Sequence, residues 1–162
     1  MDLVKTYTEE GKVKEEKERK NIDKVNDIVK CVFIFVLNSN NEVFLSRIPE
    51  KAELYAGKYG VSCAGILRSS EDIIKAALRT VRKELGVSPR LNMLGTDFYD
   101  FEGVKRFITA FYCLSDEVYP NREDVPEGEF LTKGRVEEMM SNKDIFSPTF
   151  VALWEKYRYI IE

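Results

Sequence analysis

The chain contains no histidine. That excludes serine–histidine triads, imidazole metal ligands and imidazole general bases, which are common ways of moving a proton near neutral pH. Cysteine is scarce: Cys31, Cys63 and Cys113 each lie in or beside an apolar stretch, and none forms a C-x-x-C pair. An odd count in such settings favours buried reduced thiols over a disulfide framework or a reactive centre. No long apolar run is present. The longest, Cys31 to Leu37, is far too short to cross a bilayer. The N-terminus is charged from Asp2 and Lys5 onward and has no apolar signal-peptide core, so cytoplasmic residence is the default expectation. An excess of positive charge is also missing. With 25 Lys and Arg against 28 Asp and Glu, the net charge of −3 gives no global field that would draw the chain to DNA or RNA.

What is there fits one globular domain, 162 residues long and 44% apolar. The first thirty residues are polar and charge-rich. They read either as a solvated helix or as a hairpin, Leu3–Thr8 against Lys12–Lys17. The hairpin is preferred, because Val4, Thr6, Tyr7 and Val13 suit strands and Gly11 suits a turn. Cys31–Leu37 reads as a buried strand, Asn38–Asn41 as a turn, and Glu42–Ile48 as a second strand. Tyr59–Ala64 is a short third strand. A helix is expected over Glu71–Leu85, capped by Ser69 or Ser70 and closed by Gly86, with Ile74, Ala77, Leu78, Val81 and Leu85 as its apolar stripe. Leu91–Phe101 and Val104–Leu114 read as strands joined around Glu102-Gly103. A short strand over Glu129–Thr132 and helices over Arg135–Met140 and Pro148–Ile161 complete the order, the last capped by Ser147. This succession predicts an α/β fold, an α/β/α sandwich on a mixed sheet.

The segment Gly65–Val87, GILRSSEDIIKAALRTVRKELGV, carries the most information. It resembles the Nudix box, the signature helix of hydrolases that cleave diphosphates linked to another moiety. Gly65, Glu71, Arg79, Val81, Glu84, Gly86 and Val87 fall on the family pattern in register. Two positions depart: Thr80 and Lys83 stand where the family has glutamates. The resemblance implies that residues 80, 83 and 84, at helical spacing, would face a divalent cation, Mg²⁺ or Mn²⁺, that bridges the diphosphate and activates a water. Only Glu84 keeps its carboxylate; Glu71 is the other box glutamate assigned toward the metal. An ammonium roughly 5 Å from a divalent cation is repelled by about 6–7 kcal/mol at an effective dielectric near 20, so Lys83 cannot replace a ligand. It can instead neutralise a phosphate directly, or be an ordinary solvated lysine.

A second resemblance lies upstream. RIPEK, with Arg47 and Lys51, followed by LYAGKYGVSCAG, is similar to the branch of Nudix proteins near isopentenyl-diphosphate isomerase, in which an Arg and a Lys four apart contact the substrate diphosphate. DVPEGEFLT and FSPTF are similar to that branch too. The isomerase reaction itself is disfavoured, since its cysteine would precede Gly65 directly. Ala64 stands there, and Cys63, one residue early, faces the opposite side of a strand. Glu127 is the best replacement carboxylate for catalysis outside the box, ahead of Glu102, Glu123 and Glu129. Two functions stay open on these residues. One is a Mg²⁺-dependent hydrolase of a nucleoside diphosphate linked to another group, weakened by the two replacements. The other is a non-hydrolysing module that binds a nucleotide or diphosphate. Family habit adds a homodimer. Phe98, Tyr99, Phe101, Phe107, Phe111 and Tyr112 could stack a base, but at strand spacing they fit a core better.

Overall fold

Nine consecutive residues, Val29–Leu37 (VKCVFIFVL), have hardly a polar side chain among them, and the fold is built outward from this strand. A strand apolar on both faces must be covered on both. In the computed structural model, which describes residues 2–160, that is what happens. The strands are β1 (Leu3–Tyr7), β2 (Val13–Glu18), β3 (Val29–Leu37), β4 (Glu42–Arg47), β5 (Tyr59–Gly60), β6 (Cys63–Ile66), β7 (Asn92–Phe101), β8 (Val104–Leu114) and β9 (Gly128–Thr132). The helices are α1 (Ile73–Leu85), α2 (Lys133–Met139) and α3 (Pro148–Tyr157).

In the main sheet β3 is central, with β8 parallel on one side and β7 beyond it. On its other side β3 meets β6 through Cys31–Ile34 and β4 at Leu37. β4 in turn pairs with β5 and β9. Val32, Ile34 and Val36 of β3 pack beneath α1 with Ala76, Ala77, Val81 and Leu85. Val29, Cys31, Phe35 and Leu37 point the other way, toward Phe150, Leu153 and Trp154 of α3 and Val136 of α2. The expected α/β/α sandwich on a mixed sheet is therefore the observed architecture.

The N-terminal segment is the hairpin β1–β2, with Gly11 in its turn at φ 85°. Val4 is fully buried and Ile22 nearly so, and both join the α3-side core, which ties the hairpin to the sheet. The β7–β8 connection turns at Glu102 (φ 53°) and Gly103 (φ 93°), the two left-handed residues that a two-residue hairpin loop demands.

Boundaries differ in several places, and the single strand expected over Tyr59–Ala64 is two, β5 and β6, which pair with β4 and β3 respectively. The cap of α1 is Asp72, whose carboxylate accepts from Lys75 N–H at 2.8 Å, rather than Ser69 or Ser70. Ile74, expected in the apolar stripe, is 47% exposed, and Thr80 takes a buried place on that face instead. The last helix ends at Tyr157, short of the expected end; Ile161 lies outside the described residues. Its Ser147 cap and Pro148 start are as expected, with Ser147 accepting from Phe150 N–H at 3.2 Å.

Candidate functional site

A cavity of about 480 Å³ opens beside the C-terminal end of α1. Its walls are the end of β4, the 48–55 loop, β6, and the stretch after β8, and Glu84 projects into it. Two cations expected at a diphosphate, Arg47 and Lys51, line it. Arg47 is steadied over the Tyr59 ring at 4.6 Å and paired with Glu127 at 3.8 Å.

The position of Glu84 follows from how α1 ends. Helix termini leave carbonyls unpaired. Here Gly86, at φ 66°, donates to Arg82 C=O, while Tyr119 and Asn121 N–H reach back to the carbonyls of Leu85 and Glu84, each at 2.8 Å. Those two bonds pin residues 119–125 against the helix end and bring Asp124 to Glu84. Burial, and then the Asp124 charge, push the Glu84 carboxyl up to about 8 from 4.5; the Ala64 N–H, Lys83 and Arg79 oppose this without overcoming it. Asp124 reaches the Lys83 ammonium at 3.9 Å through one oxygen. Its other oxygen, Oδ2, is buried and has no partner among the described residues.

Other box residues hold the scaffold. Glu71 is clasped by Arg79 at 2.6 and 2.9 Å and accepts from Arg68 N–H at 3.0 Å. Arg79 also donates to Ile66 C=O at 2.9 Å, which closes the loop between β6 and α1. Burial works against ionisation of Glu71, yet the bonds from Arg79 and Arg68 bring its carboxyl below the ordinary 4.5. The assignment of Glu71 toward a metal meets this arrangement: its oxygens are engaged, and it is absent from the cavity wall. Thr80 is 1% exposed and donates to Ala76 C=O at 2.8 Å, so it turns away from the cavity into the helix–sheet contact. A Cβ on Gly65 would come within 2.5 Å of the Thr80 hydroxyl, which is why this position takes glycine. Val81 is core.

Glu127 is exposed and meets Arg47 rather than facing the cavity. Glu123, ranked behind it in the sequence, lines the cavity next to Asp124. Glu102 occupies the β7–β8 turn and Glu129 an exposed position on β9. Cys63 belongs to the α1-side core, and Ala64 packs against the opposite one, as their alternation requires. Burial raises all three thiols, Cys113 to about 12, so none is a ready nucleophile. Phe111 is core, and Phe107 packs on Tyr7 and Phe98.

Asp124 is the site residue that sequence reasoning missed. It stands in an irregular stretch, and only the capping of α1 reveals its place. Among the described residues no group of three or more Asp, Glu, Cys or His side chains is arranged to hold a metal ion. The carboxylates present do fit a cation held in another way. Mg²⁺ is commonly bound by one or two carboxylates plus substrate phosphates, and Glu84 and Asp124, which line the same cavity, would be the two to hold it.

The family model described as NUDIX domain matches residues 28–154. An uncharacterized Nudix hydrolase, PA4841 of Pseudomonas aeruginosa, is 26% identical over 101 residues, covering 61% of this chain and 60% of its own. The carbamoyl phosphate synthase large chain of Caldanaerobacter subterraneus is 31% identical over 113 residues, 66% of this chain. This chain spans only 10% of that protein's length. The crystal structure of DR0079 from Deinococcus radiodurans superposes with a TM-score of 0.72 at 22% identity, covering 86% of this chain and 89% of that one. The Nudix domain of Shewanella oneidensis NrtR, complexed with ADP-ribose, gives 0.68 at 13% identity, over 90% of this chain and 94% of that one. At such identities the structural likeness speaks for the fold alone. No helix among the described residues is long and apolar enough to cross a membrane.

Proposed function

The chain belongs to the NUDIX domain family, and from that premise we propose that it hydrolyses a nucleoside diphosphate linked to another group. The observation that carries this reading is that Glu84 and Asp124 line one cavity with Arg47 and Lys51, close enough for the Asp124 charge to raise the Glu84 pKa. A Mg²⁺ or Mn²⁺ bound there would neutralise phosphate charge and acidify a water. Arg47 and Lys51 take the diphosphate oxygens. Arg47 does so in a fixed orientation, held by the Tyr59 ring and by Glu127, so Glu127 acts as a positioning residue. Glu123, beside Asp124 on the cavity wall, is the proposed general base. The ligand is a small molecule rather than a nucleic acid; ADP-ribose, which the NrtR domain binds, is one suitable test compound. Cytoplasmic residence belongs to the same proposal, on the strength of three buried free thiols. So do the branch near isopentenyl-diphosphate isomerase, on the spacing of Arg47 and Lys51, and the homodimer, on family habit.

A second reading has its own observation. Lys83 is exposed and outside the cavity lining, yet its ammonium stands 3.9 Å from Asp124 Oδ1, so positive charge already lies beside that carboxylate without a metal. On that reading the chain is a binding module for a nucleotide or diphosphate and turns nothing over. The two are separated by assaying product release from ADP-ribose and other nucleoside diphosphate derivatives while Mg²⁺ or Mn²⁺ is titrated. The hydrolase reading requires metal-dependent turnover that Glu84→Gln and Asp124→Asn each abolish. Calorimetric affinity without turnover, indifferent to metal, selects the binding module.

A further inference from the structure

Arg106 also lines this cavity, and none of the groups named so far explains it. β8 carries it opposite Val29 of β3, and it lines the same wall system as Glu84. One guanidinium nitrogen donates to the Lys24 carbonyl at 3.2 Å, and the Cys31 thiol is its other hydrogen-bonding neighbour. Its Nε is buried and has no partner among the described residues. None of the ion pairs among the described residues includes it. A guanidinium presents five N–H donors and is always charged, so a backbone carbonyl and a weakly accepting thiol leave most of its capacity open. Arg106 is half-buried, with its Nε inaccessible, and a partly desolvated cation without an ion pair among the described residues favours an anion beside it.

The surroundings suit one. Lys24 adds a second cation to the same wall, with Glu53 also lining both cavities and Glu102 acting on the Tyr55 phenol beside Arg106. Tyr55 supplies a phenol from a loop that is held rigidly: its backbone is left-handed (φ 57°), and Ile48 and Lys58 close the loop at 2.8 Å. Space continues past them. A second cavity, about 650 Å³, shares Lys24, Glu53 and the β6 residues Ala64–Ile66 with the first, and Asp2, Glu18, Arg19 and Lys20 complete its charged lining.

We infer that Arg106, with Lys24 and Tyr55, forms a second anion subsite that takes a phosphate or carboxylate carried by the ligand beyond its diphosphate. This rests on the reading of the cavity as a diphosphate site. It adds that the preferred ligands bear a further acidic group at a distance from the diphosphate.

Paired compounds that differ by one phosphomonoester test it: coenzyme A against dephospho-coenzyme A, NADPH against NADH, and ADP-ribose 2′-phosphate against ADP-ribose. Calorimetric titration of the wild-type chain should show at least one phosphorylated member binding roughly ten-fold or more tightly than its partner, as a charge-assisted contact allows. Arg106→Gln should remove that preference while leaving the unphosphorylated partner's affinity within about two-fold, which also reports that the variant is folded. Lys24→Gln, an exposed change, should reduce the preference in the same sense, and Arg106→Lys should keep part of it. Equal affinities for both members of every pair, or parallel weakening of both in Arg106→Gln, would overturn the subsite and leave the diphosphate reading standing. Binding of neither member of any pair to the wild type would overturn the diphosphate reading, and the subsite with it.

Discussion

Replacing Glu84 by glutamine should stabilise the metal-free protein in alkaline buffer and do nothing in acid. Glu84 is held near pKa 8 against 4.5 for an ordinary glutamate, by burial first and by Asp124 second. The folded chain therefore keeps a proton that the unfolded chain gives up. Below 4.5 both forms are protonated and the group contributes no pH dependence. Between 4.5 and about 8 stability falls steadily as pH rises, and above that the full penalty of a buried carboxylate applies. The distance from 4.5 to about 8 sets a ceiling of about 5 kcal/mol. That pKa already includes the opposing pull of the Ala64 N–H, Lys83 and Arg79. Water entering the cavity screens the charge further, so a gain of about 2–4 kcal/mol is expected at high pH. Glutamine mimics the protonated carboxyl in shape and has no proton to lose. Urea denaturation of both proteins at about pH 4 and about pH 9, in chelator, reads the difference directly. The account expects the variants to coincide within about 0.5 kcal/mol at the acid end and to separate at the alkaline end. A gap that stays constant across the range would show that Glu84 ionises as a solvated side chain does, and that the cavity beside it is wet and open.

The loop clasp has the opposite sign. Glu71→Gln should cost about 1–3 kcal/mol near neutrality, with the loss shrinking as pH drops through the depressed pKa of Glu71; thermal melts across an acid series check this. Gly65→Ala should destabilise by about 1–3 kcal/mol through overpacking against Thr80, and Thr80→Ala should relieve part of it in the double variant. Lys83→Glu should strengthen Mg²⁺ binding by calorimetry, since it frees Asp124 and adds a carboxylate. Thr80→Glu should instead unfold or weaken the chain, because position 80 is 1% exposed and faces β6; enhanced metal binding in that variant would contradict the placement.

Much of the fold could be read from the residues because local signals agreed with the final packing. The run VFIFVL could only be a strand covered on both faces, Glu102-Gly103 could only be a tight turn, and Ser147-Pro148 marked a helix start. The box located Glu84 and the glycine that lets α1 approach β6. Helical spacing could not tell that residue 80 would be buried. Positions 80, 83 and 84 share one side of the helix broadly, but the sheet crosses α1 so close to Gly65 that it covers the first of them. Asp124 was invisible for a different reason. Its place depends on backbone N–H groups of residues 119 and 121 capping α1, a tertiary event without a periodic signature. Arg106 was hidden among strand residues because its role depends on a cavity formed by segments distant in sequence.

Mn²⁺ binding to the intact chain, followed by paramagnetic resonance in wild type, Glu84→Gln and Asp124→Asn, tests the two-carboxylate centre most directly. One bound ion per chain, with affinity reduced roughly ten-fold or more by either substitution, is the predicted result. Binding that neither substitution disturbs would place the cation elsewhere and remove the basis for metal-assisted hydrolysis at this cavity.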